Sequence, residues 1–255
     1  MFIDTHAHLD LDDFDADCDA VIARARAAGV ERIITIGIGL QECRRAIEIA
    51  GAHPFIYAAI GMHPHNASML DLAALDFLEE HARDMRVVAL GEMGLDFYRN
   101  RSPRQDQVRA FRAQLDLAAG LKLPVVIHDR DAHTETLQIL REEKPPCGGV
   151  LHCFSGDTAM ARACIDLGFL ISIPGTVTFR NAATLHAVVV DTGLEHLLIE
   201  TDCPFLTPEP YRGKRNEPAY VRFIAEKIAE LKNVPLEEVA ARTGENACRL
   251  FGLTQ

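Results

Sequence analysis

Eight short apolar runs rich in β-branched residues recur along the chain, with helical periodicity between them. The runs are FIDTHAH, RIITIGI, FIYAAIGM, VVALGEMG, PVVIHDR, GGVLHCF, FLISI and LLIETD. Between them lie amphipathic segments such as DCDAVIARARAAG, LQECRRAIEIAGA, RQDQVRAFRAQLDLAAGLK and DTAMARACIDLG. Several close on Gly, a frequent helix terminator. Regular alternation of strand and helix calls for parallel strands joined by helical crossovers. Eight such units in 255 residues predict an α/β (β/α)8 TIM barrel, with an open doubly wound sheet as the competing arrangement. No linker, low-complexity tract or repeat divides the chain, so residues 1–255 read as a single barrel domain. Two further helical stretches, PAYVRFIAEKIAELK and LEEVAARTGENACRLFG, follow the last run and are expected around the barrel's outside.

A barrel of this kind places its active site at the carboxyl ends of its strands. There the apolar runs are interrupted by polar residues: His6 and His8 in the first, Glu92 in the fourth, His128 in the fifth, His152 in the sixth and Asp202 in the eighth. An H-x-H pair alone is a weak motif. Strand periodicity puts Asp4, His6 and His8 on one face. Six such residues on one rim form a nitrogen and oxygen donor set suited to two divalent ions. Glu92 would bridge them, with His6, His8 and Asp202 on one ion and His128 and His152 on the other. Ions ~3.5–4 Å apart can activate a water and stabilise a leaving oxygen. Asp202 is the candidate acceptor for the water's proton. Alternation turns Cys153 and Cys203 away from the site as apolar fillers. Glu200 shares the parity of Asp202, either to orient a ligand or to make a structural hydrogen bond.

Charge and cysteine usage narrow the setting. The formal net charge is −11, which opposes broad nonspecific binding to polyanions, although bound cations would reverse the field locally. Seven cysteines without a C-x-x-C pair argue for a reducing compartment, hence the cytoplasm. No secretory signal or membrane span is expected, and no obligate protein partner is indicated.

THAHLD, GMHP, GEMGLDFY, HDR, HCFSG, ISIPGTVTFRNA, ETDCP and PYRGKRNEP, in this order, resemble the TatD family of metal-dependent deoxyribonucleases from Phe2 to about Gly252. The resemblance implies a TIM barrel of the metal-dependent hydrolase type, acting on phosphodiester bonds of DNA with a 3′-5′ exonuclease mode expected. RNA is left open as a substrate. It also implies two divalent ions (Mg²⁺, Mn²⁺ or Zn²⁺) on His6, His8, Glu92, His128, His152 and Asp202, with Glu92 and Asp202 catalytic. A phosphodiester needs cationic or amide partners. The candidates are His63 of GMHP, Arg130, Tyr98 and Arg99, and the cluster Arg212, Lys214 and Arg215 after the eighth run. His65 reads as solvated, and His53, His81, His133, His186 and His196 as incidental.

A different class remains open: an amidohydrolase or lactonase cleaving a small carbonyl or phosphotriester substrate, which also uses H-x-H on its first strand. Many such enzymes bridge their metals through a carboxylated lysine. Here the fourth run offers Glu92, and the lysines at 122, 144, 214, 227 and 232 lie off the strand ends. A non-catalytic scaffold would have no need of the complete donor set.

Overall fold

In the computed structural model, which describes residues 2–253, the eight apolar runs become the strands of one parallel sheet. The strands are β1 (Phe2–Ala7), β2 (Val30–Gly37), β3 (Ile56–Ile60), β4 (Val87–Asp96), β5 (Val125–Arg130), β6 (Gly149–Leu151), β7 (Phe169–Ile173) and β8 (Leu197–Ile199). They pair in sequence order. A parallel bridge between Ala7 and Cys203, with His8 N donating to Cys203 O (2.8 Å) and Asp202 N to His6 O (2.9 Å), closes the sheet into a barrel. The open doubly wound arrangement is thereby excluded.

The helices are α1 (Cys18–Ala27), α2 (Leu40–Ala52), α3 (Leu72–His81), α4 (Arg104–Leu121), α5 (His133–Glu143), α6 (Thr158–Asp166), α7 (Ala183–Asp191), α8 (Val221–Lys232) and α9 (Leu236–Phe251). Local chemistry sets their ends. Asp71 and Asp157 accept from Ala74 N and Met160 N, which caps α3 and α6. No helix of the described residues is long and apolar enough to cross a membrane.

Strand alternation divides the apolar residues into two cores. Ile33, Ile60, Leu90, Ile127, Leu151, Ile171 and Ile199 face the helices. Ile34, Val126, Val150, Leu170 and Leu198 face the barrel axis. The last helix departs from the sequence expectation. Instead of remaining on the outside, α9 sends Ala247 and Phe251, with Leu253 beyond it, into the inner core against Ile3 and the other inward residues. Asn246 on the same helix donates to Leu194 O and Leu197 O (2.7 and 2.9 Å). Ala247, Phe251 and Leu253 therefore plug the amino-terminal mouth of the barrel.

Two residues further along the inward faces, the chemistry changes. Val126 gives way to His128, Val150 to His152, Leu170 to Ser172 and Leu198 to Glu200. The barrel thus has an apolar floor and a polar upper half. Because Phe251 is buried in that floor, Phe251→Ala should lower unfolding free energy by about 3–5 kcal/mol. Chemical denaturation measures this, and a loss under about 1 kcal/mol would place the plug outside the core.

Candidate metal centre

β4 delivers Glu92 to the middle of the upper half through the segment GEMG. This strand lies so close to β5 that its glycines leave no room for a side chain. A Cβ on Gly91 (φ +140°) would sit 2.4 Å from Val126 O, and one on Gly94 (φ +138°) 2.1 Å from His128 O. Glu92 is buried, and its two oxygens face two different sets of imidazoles. Oε2 lies 3.3 Å from His6 Nε2 and 3.9 Å from His8 Nε2. Oε1 lies 2.6 Å from His128 Nδ1, 2.8 Å from His152 Nε2 and 3.3 Å from His63 Nε2.

The imidazoles come in facing pairs. His6 Nε2 and His8 Nε2 are 3.2 Å apart, as are His128 Nδ1 and His152 Nε2. Asp202 stands beside the first pair, its Oδ1 3.4 Å from His8 Nε2 and 3.8 Å from His6 Nε2. All six residues singled out by the sequence therefore converge. Two imidazole nitrogens meet Glu92 Oε2 and three meet Oε1. His6, His8 and Glu92, His6, His152 and Asp202, and His63, Glu92 and His128 each present atoms close enough for one metal ion.

The outward nitrogens show how the rings are aimed. His8 Nδ1 is 2.9 Å from Ile36 O, which leaves its Nε2 lone pair for the site. His128 Nε2 looks toward Asp96 Oδ2 at 3.5 Å, and His152 Nδ1 toward Glu200 Oε1 at the same distance. Such carbonyl and carboxylate partners fix the tautomer of a metal-binding histidine. His63 is different. Its Nδ1 accepts from His65 N (3.0 Å), so its Nε2 carries a proton and offers the site a donor. His6 Nδ1, His128 Nε2 and His152 Nδ1 are all buried without a hydrogen-bond partner, but only His6 Nδ1 also lacks a carboxylate facing it.

Charge is finely divided here. Burial opposes ionisation of Glu92, yet the charges of His152 and His63 and hydrogen bonds from His128 and His152 hold it well below the usual carboxylate range. Burial lowers His6, and it brings His63 down to about 4. Burial also acts against protonated His8, but the hydrogen bond and charge of Asp202, with Asp10 and Glu92, outweigh it and raise His8 to about 9. His152 rises well above its ordinary value because Glu92 and Glu200 overcome its burial. Four imidazoles and two carboxylates packed this closely form the donor set that divalent ions satisfy.

Several expectations need correction. Asp4 does not share a face with His6 and His8. The pairing of β1 with β2 is irregular between Asp4 and Ala7, so Thr5 as well as His6 turns inward, Thr5 reaching Ser172 Oγ (3.4 Å). Asp4 instead accepts from Thr201 N and Oγ1 (2.8 and 2.6 Å), which ties β1 to the end of β8. Asp202 enters the site through a left-handed turn (φ +54°), not through strand parity, because β8 ends at Ile199. Glu200 does keep inward parity and also accepts from Cys153 N (2.5 Å). Cys203 is a buried member of the outer core, whereas Cys153 is only part-buried. Its φ of +45° lies beyond the end of β6, where alternation no longer applies. His65 is not solvated; it donates through Nε2 to Asp96 Oδ2 at 2.8 Å.

Asp96 is the residue that sequence reasoning passed over. It is fully buried, meets His65 and His128, accepts from Arg99 N (2.6 Å), and its own N–H donates to Gln107 of α4 (2.8 Å). Its signal was its position in GEMGLD, four residues after Glu92, where a charge in a buried strand needs partners.

At the rim, Arg130 lies over the Tyr98 ring (4.2 Å), with Arg99 at 5.4 Å from the same ring. Arg212 covers Phe179 (4.3 Å) and Lys214 is 5.5 Å from the Tyr211 ring. Arg215 is occupied elsewhere: it pairs with Asp17 (2.8 Å), donates to Asp13 O (2.6 Å) and packs over Phe14. The five histidines read as incidental lie outside the cluster, His133 on Asp129 and His186 on Val177 O among them.

Residues 3–252 match the family model described as TatD related DNase. The chain belongs to the TatD family. A relative called "Uncharacterized metal-dependent hydrolase YabD", from Bacillus subtilis, is 48% identical over 252 residues, spanning 98% of this chain and 99% of that protein. A Klebsiella pneumoniae protein named "3'-5' ssDNA/RNA exonuclease TatD" is 40% identical over 257 residues, spanning 98% of this chain and 97% of that one. The crystal structure of the TatD homolog YJJV from Escherichia coli superposes with a TM-score of 0.94 at 32% identity, over 99% of this chain and 98% of that one. This TatD-family chain is accordingly a metal-dependent hydrolase by family and by donor set.

The raised His8 carries a sign. In the metal-free protein the folded state binds its proton more tightly than the unfolded chain does. The resulting stabilisation is complete below about 6.5 and disappears as pH climbs through about 9. Imidazole NMR of the chelator-treated protein should show His8 titrating near the upper value. A midpoint near 6.5 would contradict the Asp202 contact as its cause.

Proposed function

We propose that this protein is a nuclease that hydrolyses phosphodiester bonds of DNA, and of RNA where the 2′-hydroxyl is accommodated, from the 3′ end. The observation that carries the reading is the division of Glu92 between two facing imidazole pairs. A carboxylate so placed suits two divalent ions, one on His6, His8 and Asp202, the other on His128 and His152. Mg²⁺, Mn²⁺ and Zn²⁺ are the candidate metals. Such ions, when bound, lower the pKa of water and offset charge developing on a phosphate. The names of the exonuclease relatives support the substrate.

The chain's own groups divide the remaining work. Asp202 accepts the proton of the attacking water. Its side chain is 12% exposed against 3% for Glu92, so solvent reaches it, and its interactions with His8 and His6 keep it ionised. His63, neutral and donating from Nε2, hydrogen-bonds the phosphate. Asp96 and Glu200 hold His128 and His152 in orientation. Arg130 with Tyr98 and Arg99, and Arg212 with Lys214, draw the backbone to an otherwise acidic protein. Arg215 serves its own loop, anchoring it on α1. An amidohydrolase or lactonase activity gains nothing from the site, since the bridging position belongs to Glu92 and not to a lysine. Seven free cysteines suit the reducing cytoplasm as the place of action.

Glu92→Ala should remove metal from both halves of the site, measured by elemental analysis of purified protein. Unchanged metal content would defeat the bridging assignment. Asp202→Asn keeps the shape but removes the proton acceptor, and kcat on a single-stranded oligonucleotide should fall by ~10²–10⁴-fold. Hydrolysis within a factor of about three of wild type would show that another group takes the proton.

A further inference from the structure

An exposed phenylalanine stands directly beside the metal centre. Phe205 is 51% exposed, and its ring lies edge-on to His8 with the centroids 6.1 Å apart. An exposed aromatic on a loose loop would mean little, but this loop is fastened from beneath. Phe205 N donates to Asp202 O (2.9 Å), and Phe205 O accepts from Asn216 Nδ2 (2.6 Å). Asn216 is fully buried and bonds Thr201 O with the same amide, while its own N–H donates to Pro204 O. The backbone on both sides of the aromatic is thus fixed to the segment that carries Asp202.

A second exposed aromatic, Tyr98 (58%), follows β4. In a closed sheet ordered β1 to β8, the β4–β5 edge of the mouth lies across from the β8–β1 edge. The two rings therefore flank opposite sides of the site. Tyr98 has guanidinium groups upon it, Arg130 at 4.2 Å and Arg99 at 5.4 Å, whereas the face of Phe205 has no cation over it among the described residues. A flat apolar surface held rigid next to phosphodiester-cleaving groups matches the face of an unpaired nucleobase. Stacking on aromatics is how single strands are held without sequence readout.

We propose that Phe205 is a stacking platform for the unpaired base of the nucleotide at the cleaved 3′ end, which makes it a determinant of single-strand selectivity. This rests on the nuclease reading above. A base held in a duplex presents no free face, so a paired 3′ end engages the platform only after fraying.

The test uses the metal-loaded full-length protein and two 5′-labelled single-stranded oligodeoxynucleotides, one ending in ordinary 3′ nucleotides and one ending in an abasic residue. Phe205→Ala should raise KM on the ordinary oligonucleotide by about tenfold or more, within the range for one stacked base. On the abasic oligonucleotide the ratio of variant to wild-type KM should fall toward one. Phe205→Trp, which keeps a planar face, should bind the ordinary end at least as well as wild type. Phe205→Leu, apolar but not planar, should behave like the alanine variant. Equal KM for wild type and Phe205→Ala on the ordinary end would overturn the proposal. So would an equal penalty on both oligonucleotides, or a Phe205→Leu variant that matches wild type. If the metal-loaded wild type cleaves neither oligonucleotide, the nuclease reading fails first and the platform falls with it.

Discussion

A buried carboxylate shared between two imidazole pairs governs this molecule. Glu92 has lost nearly all its water, and an ion so placed survives only where positive charge surrounds it. His6 and His8 answer one oxygen, and His128 and His152 the other. Behind them, His8 is hydrogen-bonded to Ile36 O, and Asp96 and Glu200 face His128 and His152 at 3.5 Å. Shifting β4 by one residue would bury the charge in the helix-facing core and expose the floor to it. The register of the whole sheet is accordingly tied to one side chain.

Beneath that carboxylate, the apolar floor lets the polar upper half be built at all. Val126, Val150 and Leu198 lie one inward step below His128, His152 and Glu200. The Phe251 plug keeps solvent from the lower mouth. Low dielectric below the site strengthens every charge interaction within it. Stability and reactivity are thus assigned to opposite ends of the same strands, as the barrel architecture favours.

Much of this was legible in the primary structure, because two simple periodicities carried it. Alternation of apolar runs with amphipathic stretches gave the barrel. Polar residues at the carboxyl ends of apolar runs gave the six converging side chains. What escaped were features set by departures from periodicity. The irregular pairing of β1 turned Asp4 toward Thr201. The left-handed residue at Asp202 replaced parity with a turn. Asp96 and His65 depend on a contact between the end of β4 and the turn that follows β3, 31 positions apart in sequence, which no local pattern announces. Arg215 looked available because its partner Asp17 lies 198 positions away. The role of α9 was hidden because an amphipathic helix reads the same whether it covers a barrel's side or its floor.

The seam between the first and last strands has a consequence for the order in which the molecule is made. His6 and His8 are synthesised before the rest of the donor set, while Asp202 and the Cys203 bridge to Ala7 follow almost 200 positions later. Until then β1 has a partner on one side only, and its histidines look into a half-formed trough. The nascent chain cannot assemble its donor set early, however long synthesis pauses.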